Sequence, residues 1–294
     1  MRSAADDPPP PPPSIDALLE SSLKDIGIPP RPTILDRISR EMVQDEPDYK
    51  RLSTIIGADV SLSASLIKTA NSPFFGYRNR VRSVNEALMM LGLDVASRAI
   101  AGIILRKVFP NSLHLERFWD ASARIARLSG WLAQHVGHNK LRPDDAYTFG
   151  LFRDCGIPVL LQRFPGYEKI LASANNEASR SFTVVENSQL PTNHAMVGCL
   201  LAQSWWLPEE TSLAIRHHHE LAIIETPSIT PPLTSRYRIA IAQFAEHLMQ
   251  RHTGLSHTQE WLKLGTACLR LLDIAEDDID AILADAVAVM EAED

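Results

Sequence analysis

Arg78, Arg80 and Arg82 stand at alternate positions, so on an extended backbone their guanidinium groups would share one face and could receive an anionic ligand or an acidic partner. A solvated loop is the plainer reading of the same three residues. Just before them Phe74, Phe75 and Tyr77 crowd three rings beside Pro73, a grouping better suited to packing between two parts of a core than to a partner surface. His217, His218 and His219 are consecutive. Neighbours on a regular helix point about 100° apart, so two of them could serve one centre only at a helix end or a distortion. Arg153 precedes Asp154, and such a guanidinium could pair with its neighbour or hold a bound anion, while the plainer reading is an exposed arginine at a helix end.

Other chemistries find no support. Cys155, Cys199 and Cys268 are three and lack Cys-x-x-Cys spacing, so neither a disulfide framework nor a zinc ribbon is indicated, which fits a reducing cytoplasm. Cys155 has no base beside it in sequence and reads as buried. The chain carries no glycine-rich phosphate loop, nucleophile elbow or dinucleotide fingerprint. A net charge of -7 over 294 residues disfavours nucleic acid as a partner. Met1 to Pro8 lacks the apolar core of a signal peptide, and apolar runs elsewhere are interrupted by charges, so no membrane segment is expected.

The elements that must position these groups are helical. Pro8 to Pro13 favour polyproline II, making residues 1–14 a proline-rich tail. From Ser14 on the apolar period is that of helices: Leu62 with Leu66, then Val84, Leu88 and Leu91, and at the end Ile279, Ile282, Leu283, Ala286, Val287 and Met290, a stripe that should dock. Ser83 and Glu86 form a capping box; Thr183 with Glu186 and Ser256 with Gln259 read the same way. Gly92 is placed to end one helix before Asp94 caps the next. Trp205 and Trp206 precede the helix opened by Pro208, one indole expected in the core and the other at the surface. No alternating strand pattern competes, so the chain is all-α, with residues 15–110 and 111–294 as two helical halves able to share one core.

The stretches Pro29-Pro30-Arg31-Pro32, Ala70-Asn71-Ser72-Pro73-Phe74-Phe75-Gly76, Ser83-Val84, Leu91-Gly92, His194-Ala195-Met196-Val197-Gly198 and His218-His219-Glu220 resemble the HDOD family, the HD-related output domains of bacterial signalling proteins. The likeness spans most of Ile15 to Leu248. It implies one multi-helix module related in fold to the HD and HD-GYP phosphohydrolases, in which histidines and aspartates hold divalent metals that polarise phosphate and activate water.

By that resemblance Asp154, His194, His218 and His219 match four positions of the larger metal set, while Arg153 occupies the place of the histidine in the His-Asp pair. A guanidinium has donors and no usable lone pair, so it cannot substitute as a ligand. Ala121 falls where an earlier helix would supply a histidine, His114 being the nearest alternative, and Glu246 falls where the final aspartate would stand. The reading is therefore a non-catalytic signal-transduction module that binds a protein partner or a small anionic, nucleotide-type regulator, with Arg153, Arg78, Arg80 and Arg82 as candidate contacts. Asp154, His194, His218 and His219 are then vestigial, and neither metal nor other cofactor is expected. The alternative is a divergent metal-dependent phosphohydrolase or phosphodiesterase using manganese, iron or magnesium at those four residues.

Overall fold

The computed structural model describes residues 25–72, 74–75, 80–109, 113–136, 140–226 and 231–291. The proline-rich segment, Gly76, Tyr77, Arg78, the boundary at Pro110-Asn111 and the side chain of His114 lie outside them. Among the described residues there is no strand, and the chain is a succession of helices.

Four helices build the N-terminal half: α1 (Thr33–Met42), α2 (Tyr49–Gly57), α3 (Val60–Ala70) and α4 (Val84–Val108). Each short helix buries one stripe, Leu35 and Ile38 on α1, Leu52 and Ile56 on α2, Leu62, Leu66 and Ala70 on α3. Asp48 and Asp59 cap α2 and α3 by accepting from the amides of Arg51 and Leu62, which satisfies helix-end donors that would otherwise lack partners. Asn71 ends α3 and closes the aromatic turn, its side chain accepting from Val81 N and donating to Val81 O, each at 2.8 Å. The Ser83–Glu86 box forms: Ser83 Oγ accepts from Glu86 N, while Glu86 accepts from the amide of Arg82, one residue earlier than the simplest box. Gly92 is non-helical at φ 74° and ψ 162°, so α4 is two helices meeting at a kink, as the position of this glycine before Asp94 predicts; such a φ is one that side chains with a Cβ rarely adopt. By length and hydropathy α4 could cross a membrane, yet 56% of its most apolar window is buried within the protein, as for a core helix.

The C-terminal half runs through α5 (Leu113–His135), α6 (Pro143–Phe152), α7 (Gly156–Arg163), α8 (Tyr167–Asn176), α9 (Phe182–Asn187), α10 (His194–Ser204), α11 (Glu209–His217), α12 (Leu221–Glu225), α13 (Leu233–Thr253), α14 (Glu260–Leu272) and α15 (Ile279–Glu291). Helix α13 is buried along most of its length and packs against α5, α6, α11 and α14. The terminal stripe docks as its period requires, with Ile279, Ala286 and Met290 buried and Met290 O accepting from Arg124. One continuous apolar cluster reaches from Ile28 to Met290, so both halves share a core.

The aromatic turn joins the halves. Phe74 stacks on Tyr147 of α6 at 5.0 Å and lies where a Cβ on Gly130 of α5 would intrude, 2.1 Å away. Trp205 is buried and donates to Pro29 O, tying the start of the N-terminal half to the end of α10, while Trp206 is exposed with Arg31 over its ring at 4.0 Å. Two expected capping boxes do not form. Helix α9 begins two residues early, with Ser181 rather than Thr183 at its N-cap position, and Glu186 turns inward; α14 begins at Glu260, whose amide reaches Thr258 Oγ1, and Ser256 Oγ caps nothing there. At α9 the carboxylate of the expected box, Glu186, finds a buried imidazole instead, a stronger partner than a solvated amide.

Candidate functional site

Four segments distant in sequence meet at the site, and two glycines set their approach. Asp154 lies in the turn from α6 into α7, and His194 is the first residue of α10. Helices α7 and α10 cross so closely that a Cβ on Gly156 would sit 2.1 Å from His194 O and 2.8 Å from Gly198 N, while a Cβ on Gly198 would meet Cys155 Sγ at 3.2 Å. Only hydrogen at both positions lets Asp154 come up against His194. His218 follows the last residue of α11 and His219 the residue after, so the adjacent imidazoles leave a helix that is already ending. His218 keeps a helical φ of -68° while its ψ opens to -10°, and the two rings lie with their centroids 4.0 Å apart at the end of the helix.

The ligating atoms of Asp154, His194, His218 and His219 all lie within 4.8 Å of one another. His194 Nε2 is 3.3 Å from His218 Nε2, 3.1 Å from His219 Nε2 and 3.6 Å from Asp154 Oδ1; His218 Nε2 is 3.2 Å from the same oxygen. The other nitrogen of each ring is held by an acceptor: Nδ1 of His194 by Glu186 at 2.8 Å, of His218 by Ile215 O at 2.7 Å, of His219 by Glu260 at 2.6 Å. An acceptor fixes the proton on Nδ1, so each neutral ring turns its Nε2 lone pair inward. Three nitrogen lone pairs and a carboxylate oxygen then face one another in a buried place, which calls for a shared proton or a cation.

The donor set fits a metal ion. Four ligands about 2.0–2.1 Å from one ion in a tetrahedron would lie about 3.3 Å apart, close to the four distances of 3.1–3.6 Å above, with all donors within 4.8 Å, and imidazole with carboxylate suits zinc or iron. Charge favours a bound cation at Asp154 and His219 and opposes it at His194, where a raised pKa favours the imidazolium, which has no Nε2 lone pair. Burial works against ionisation of Asp154, but the neighbouring Arg153 prevails and holds its pKa well below the usual range. Burial, with His218 and His194 adding to it, holds the pKa of His219 well below that of free imidazole and keeps it neutral. Burial also opposes the charge of His194, and Glu186 outweighs it so that its pKa is raised.

Arg153 is equally well defined. It is buried, donates through Nε to Asp154 Oδ2 at 2.9 Å, and places a second guanidinium nitrogen 2.7 Å from Glu246 Oε1. Burial disfavours its charge, but Asp154 and Glu246 together raise its pKa above that of free arginine. The guanidinium thus bridges two acidic residues, one of them Glu246, and leaves Oδ1 of Asp154 to the histidines. Of the three readings open for Arg153 in sequence, pairing with its neighbour is the one the geometry gives, and an exposed helix-end arginine is excluded by its burial. Ala121 is half-buried among apolar side chains and brings no ligand.

Three supporting residues were not legible as such. Glu186 accepts from His194 and from Tyr167 Oη, Glu260 holds His219 and the ammonium of Lys263, and Phe182 stacks on His219 at 4.8 Å with its edge relation to His194 at 5.1 Å. Glu186 stands eight residues before its histidine and Glu260 stands 41 after its own, spacings that carry no local signal. Cys155, as expected, is buried, and burial raises its thiol pKa. Arg80 and Arg82 are exposed and stand apart from the histidine cluster.

Residues 28–221 match the HDOD domain family model. An uncharacterized protein of Treponema pallidum (strain Nichols) is 27% identical over 216 residues, covering 72% of this chain and 41% of that protein. The cyclic di-GMP phosphodiesterase CdgJ of Vibrio cholerae is 27% identical over 153 residues, covering 49% of this chain and 34% of the relative. The chain thus spans well under half the length of either. Among solved structures, an HDOD domain protein with unknown function from Geobacter sulfurreducens superposes with a TM-score of 0.62 at 23% identity, over 94% of this chain and 99% of that one, a likeness of fold.

Proposed function

The chain belongs to the HDOD domain family, and from that premise we propose that it is a non-catalytic signal-transduction module in which Asp154, His194, His218 and His219 hold a single divalent ion as an internal clamp. The observation that carries this reading is Arg153, buried and bonded on either side to Asp154 and Glu246. A fixed monocation there takes up the carboxylates that a second metal would need, and it cannot exchange for one without leaving its charge partners unpaired. Hydrolysis by a pair of metals needs both ions to hold the attacking and the leaving oxygen. The single remaining centre has four protein donors, the number that closes a structural site, whereas a catalytic site keeps a position for water or substrate. Its three imidazoles are at most 7% exposed.

When bound, the ion would supply positive charge for the four inward-facing acceptors and so cross-link α6–α7, α10 and the end of α11. Glu186 and Glu260 would orient the rings and raise their basicity. The signalling role is then one of binding, with a protein partner or a small anionic regulator as the input. Metal content of the purified chain, measured together with hydrolysis of bis(p-nitrophenyl) phosphate and of cyclic di-GMP in manganese, iron or zinc, tests the proposal. About one equivalent of metal, without turnover above that of buffer, is the expected result, and a chain that takes up no metal would remove the clamp. Hydrolysis that scales with bound metal and disappears in His194→Ala would overturn it.

A further inference from the structure

A groove of about 1410 Å³ runs between the two halves, and none of the four histidine-cluster donors lines it. Its charge is unlike that of the chain. Acidic residues outnumber basic ones overall, 36 to 29, yet the described lining contains six lysines and arginines and no carboxylate. Three helix faces produce this. Ser61, Ser65 and Lys68 of α3 recur at helical spacing and face it; Ala99, Ile103 and Arg106 of α4 do the same, and so do Trp119, Ala123 and Arg127 of α5. Ser65 and Ala123 in the middle of the α3 and α5 stripes, and Ala99 and Gly102 on α4, are small and leave the volume open, and each stripe closes on a cation.

The cations differ in how far they are already compensated. Arg106 and Lys107 reach Asp120 and Asp59 at the rim, at 3.6 and 3.2 Å. Arg80, Arg82 and Lys68 are exposed, and no ion pair ties them among the described residues. The floor is aromatic and deep, with Phe109 at 3% and Trp119 at 6% exposure, and the similarly buried Arg127 is set beside them. Cations and hydroxyls above a ring-bearing floor suit a ligand that is itself part phosphate and part planar ring.

We infer that this groove is a binding site for a nucleotide-class ligand, its phosphates taken by Lys68, Arg80 and Arg82 and its base carried toward Trp119 and Phe109. An acidic peptide would satisfy the rim charges but has no ring to place on the buried floor. The inference rests on the proposed binding role and gives the anionic regulator a place, away from the histidine cluster where Arg153 is already saturated.

Calorimetric titration of the purified chain with ATP tests it, with adenosine, pyrophosphate and a decaglutamate peptide as comparison probes and the double variant Lys68→Ala/Arg82→Ala as control. Both substituted side chains are exposed, and circular dichroism checks that the variant folds. The expected result is saturable binding of one ATP, weaker binding of adenosine and of pyrophosphate, and at least a tenfold loss of ATP affinity in the double variant. Absence of heat with ATP, equal ATP affinity in the variant, or tighter binding of decaglutamate than of ATP would each overturn the inference. Failure of the metal clamp would show in metal content and melting and would leave this titration untouched, so the two proposals stand or fall separately.

Discussion

Replacing Arg153 by methionine is the most searching perturbation, because it removes a buried cation while keeping most of its volume. The guanidinium contacts Asp154 Oδ2 at 2.9 Å and Glu246 Oε1 at 2.7 Å. Truncating one partner of a buried ion pair typically costs about 3–5 kcal/mol, since the charge left behind has neither water nor a counter-ion. At roughly 2–4 °C per kcal/mol for a domain of this order, the melting temperature should fall by about 6–20 °C at neutral pH. The pH dependence gives the sign. Burial already raises the Glu246 pKa, with Arg153 opposing it; without Arg153 that opposition is gone. A carboxyl whose folded pKa lies above its unfolded value of about 4.3 binds its proton more tightly when folded, so stability falls as pH rises through that window. The deficit of the variant should therefore be small near the unfolded pKa and grow toward neutrality. Thermal melts of both proteins from pH 4.5 to 8 measure it. A loss under about 1 kcal/mol at pH 7, the range of an exposed ion pair, or a deficit that does not change with pH, would refute the account of Arg153 as an internal counter-ion.

Other expectations follow from the same geometry. Stripping metal with a chelator should lower the melting temperature, and restoring zinc at 100 times its Kd should return about 2.7 kcal/mol, whereas His194→Ala should show no such increment. Glu260→Gln keeps the shape beside His219 Nδ1 but removes the carboxylate, so metal affinity measured by competition with a chromophoric chelator should fall by about 10–100-fold. Gly156→Ala would set a methyl 2.1 Å from His194 O, and the forced separation of α7 from α10 should cost at least about 1–3 kcal/mol in denaturant melts and weaken metal binding with it.

Periodicity and capping residues were enough for the all-helical class. The Ser83 box, the docking stripe of α15 and the split roles of Trp205 and Trp206 are decided within a turn or two of chain, where helix-end donors and apolar faces act locally. Asp154, His194, His218 and His219 were identifiable only through family likeness, since 24 to 64 residues separate the histidines and aspartate that touch. The inward turn of Glu186 contradicted a sound local motif because a buried imidazole and a phenol compete for the same carboxylate and win.

Residue types, then, determined that this chain makes helices, that residue 153 cannot be a ligand and that three imidazoles and a carboxylate are present. Tertiary structure decided that these four converge, because only bare glycines at 156 and 198 allow α7 and α10 to touch. It also decided that Arg153 is spent on Asp154 and Glu246, and that the basic residues of α3, α4 and α5 line one groove. Charge and lone pairs belong to single residues, but the distance that turns them into attraction or repulsion is set by the packing of helices far apart in the chain.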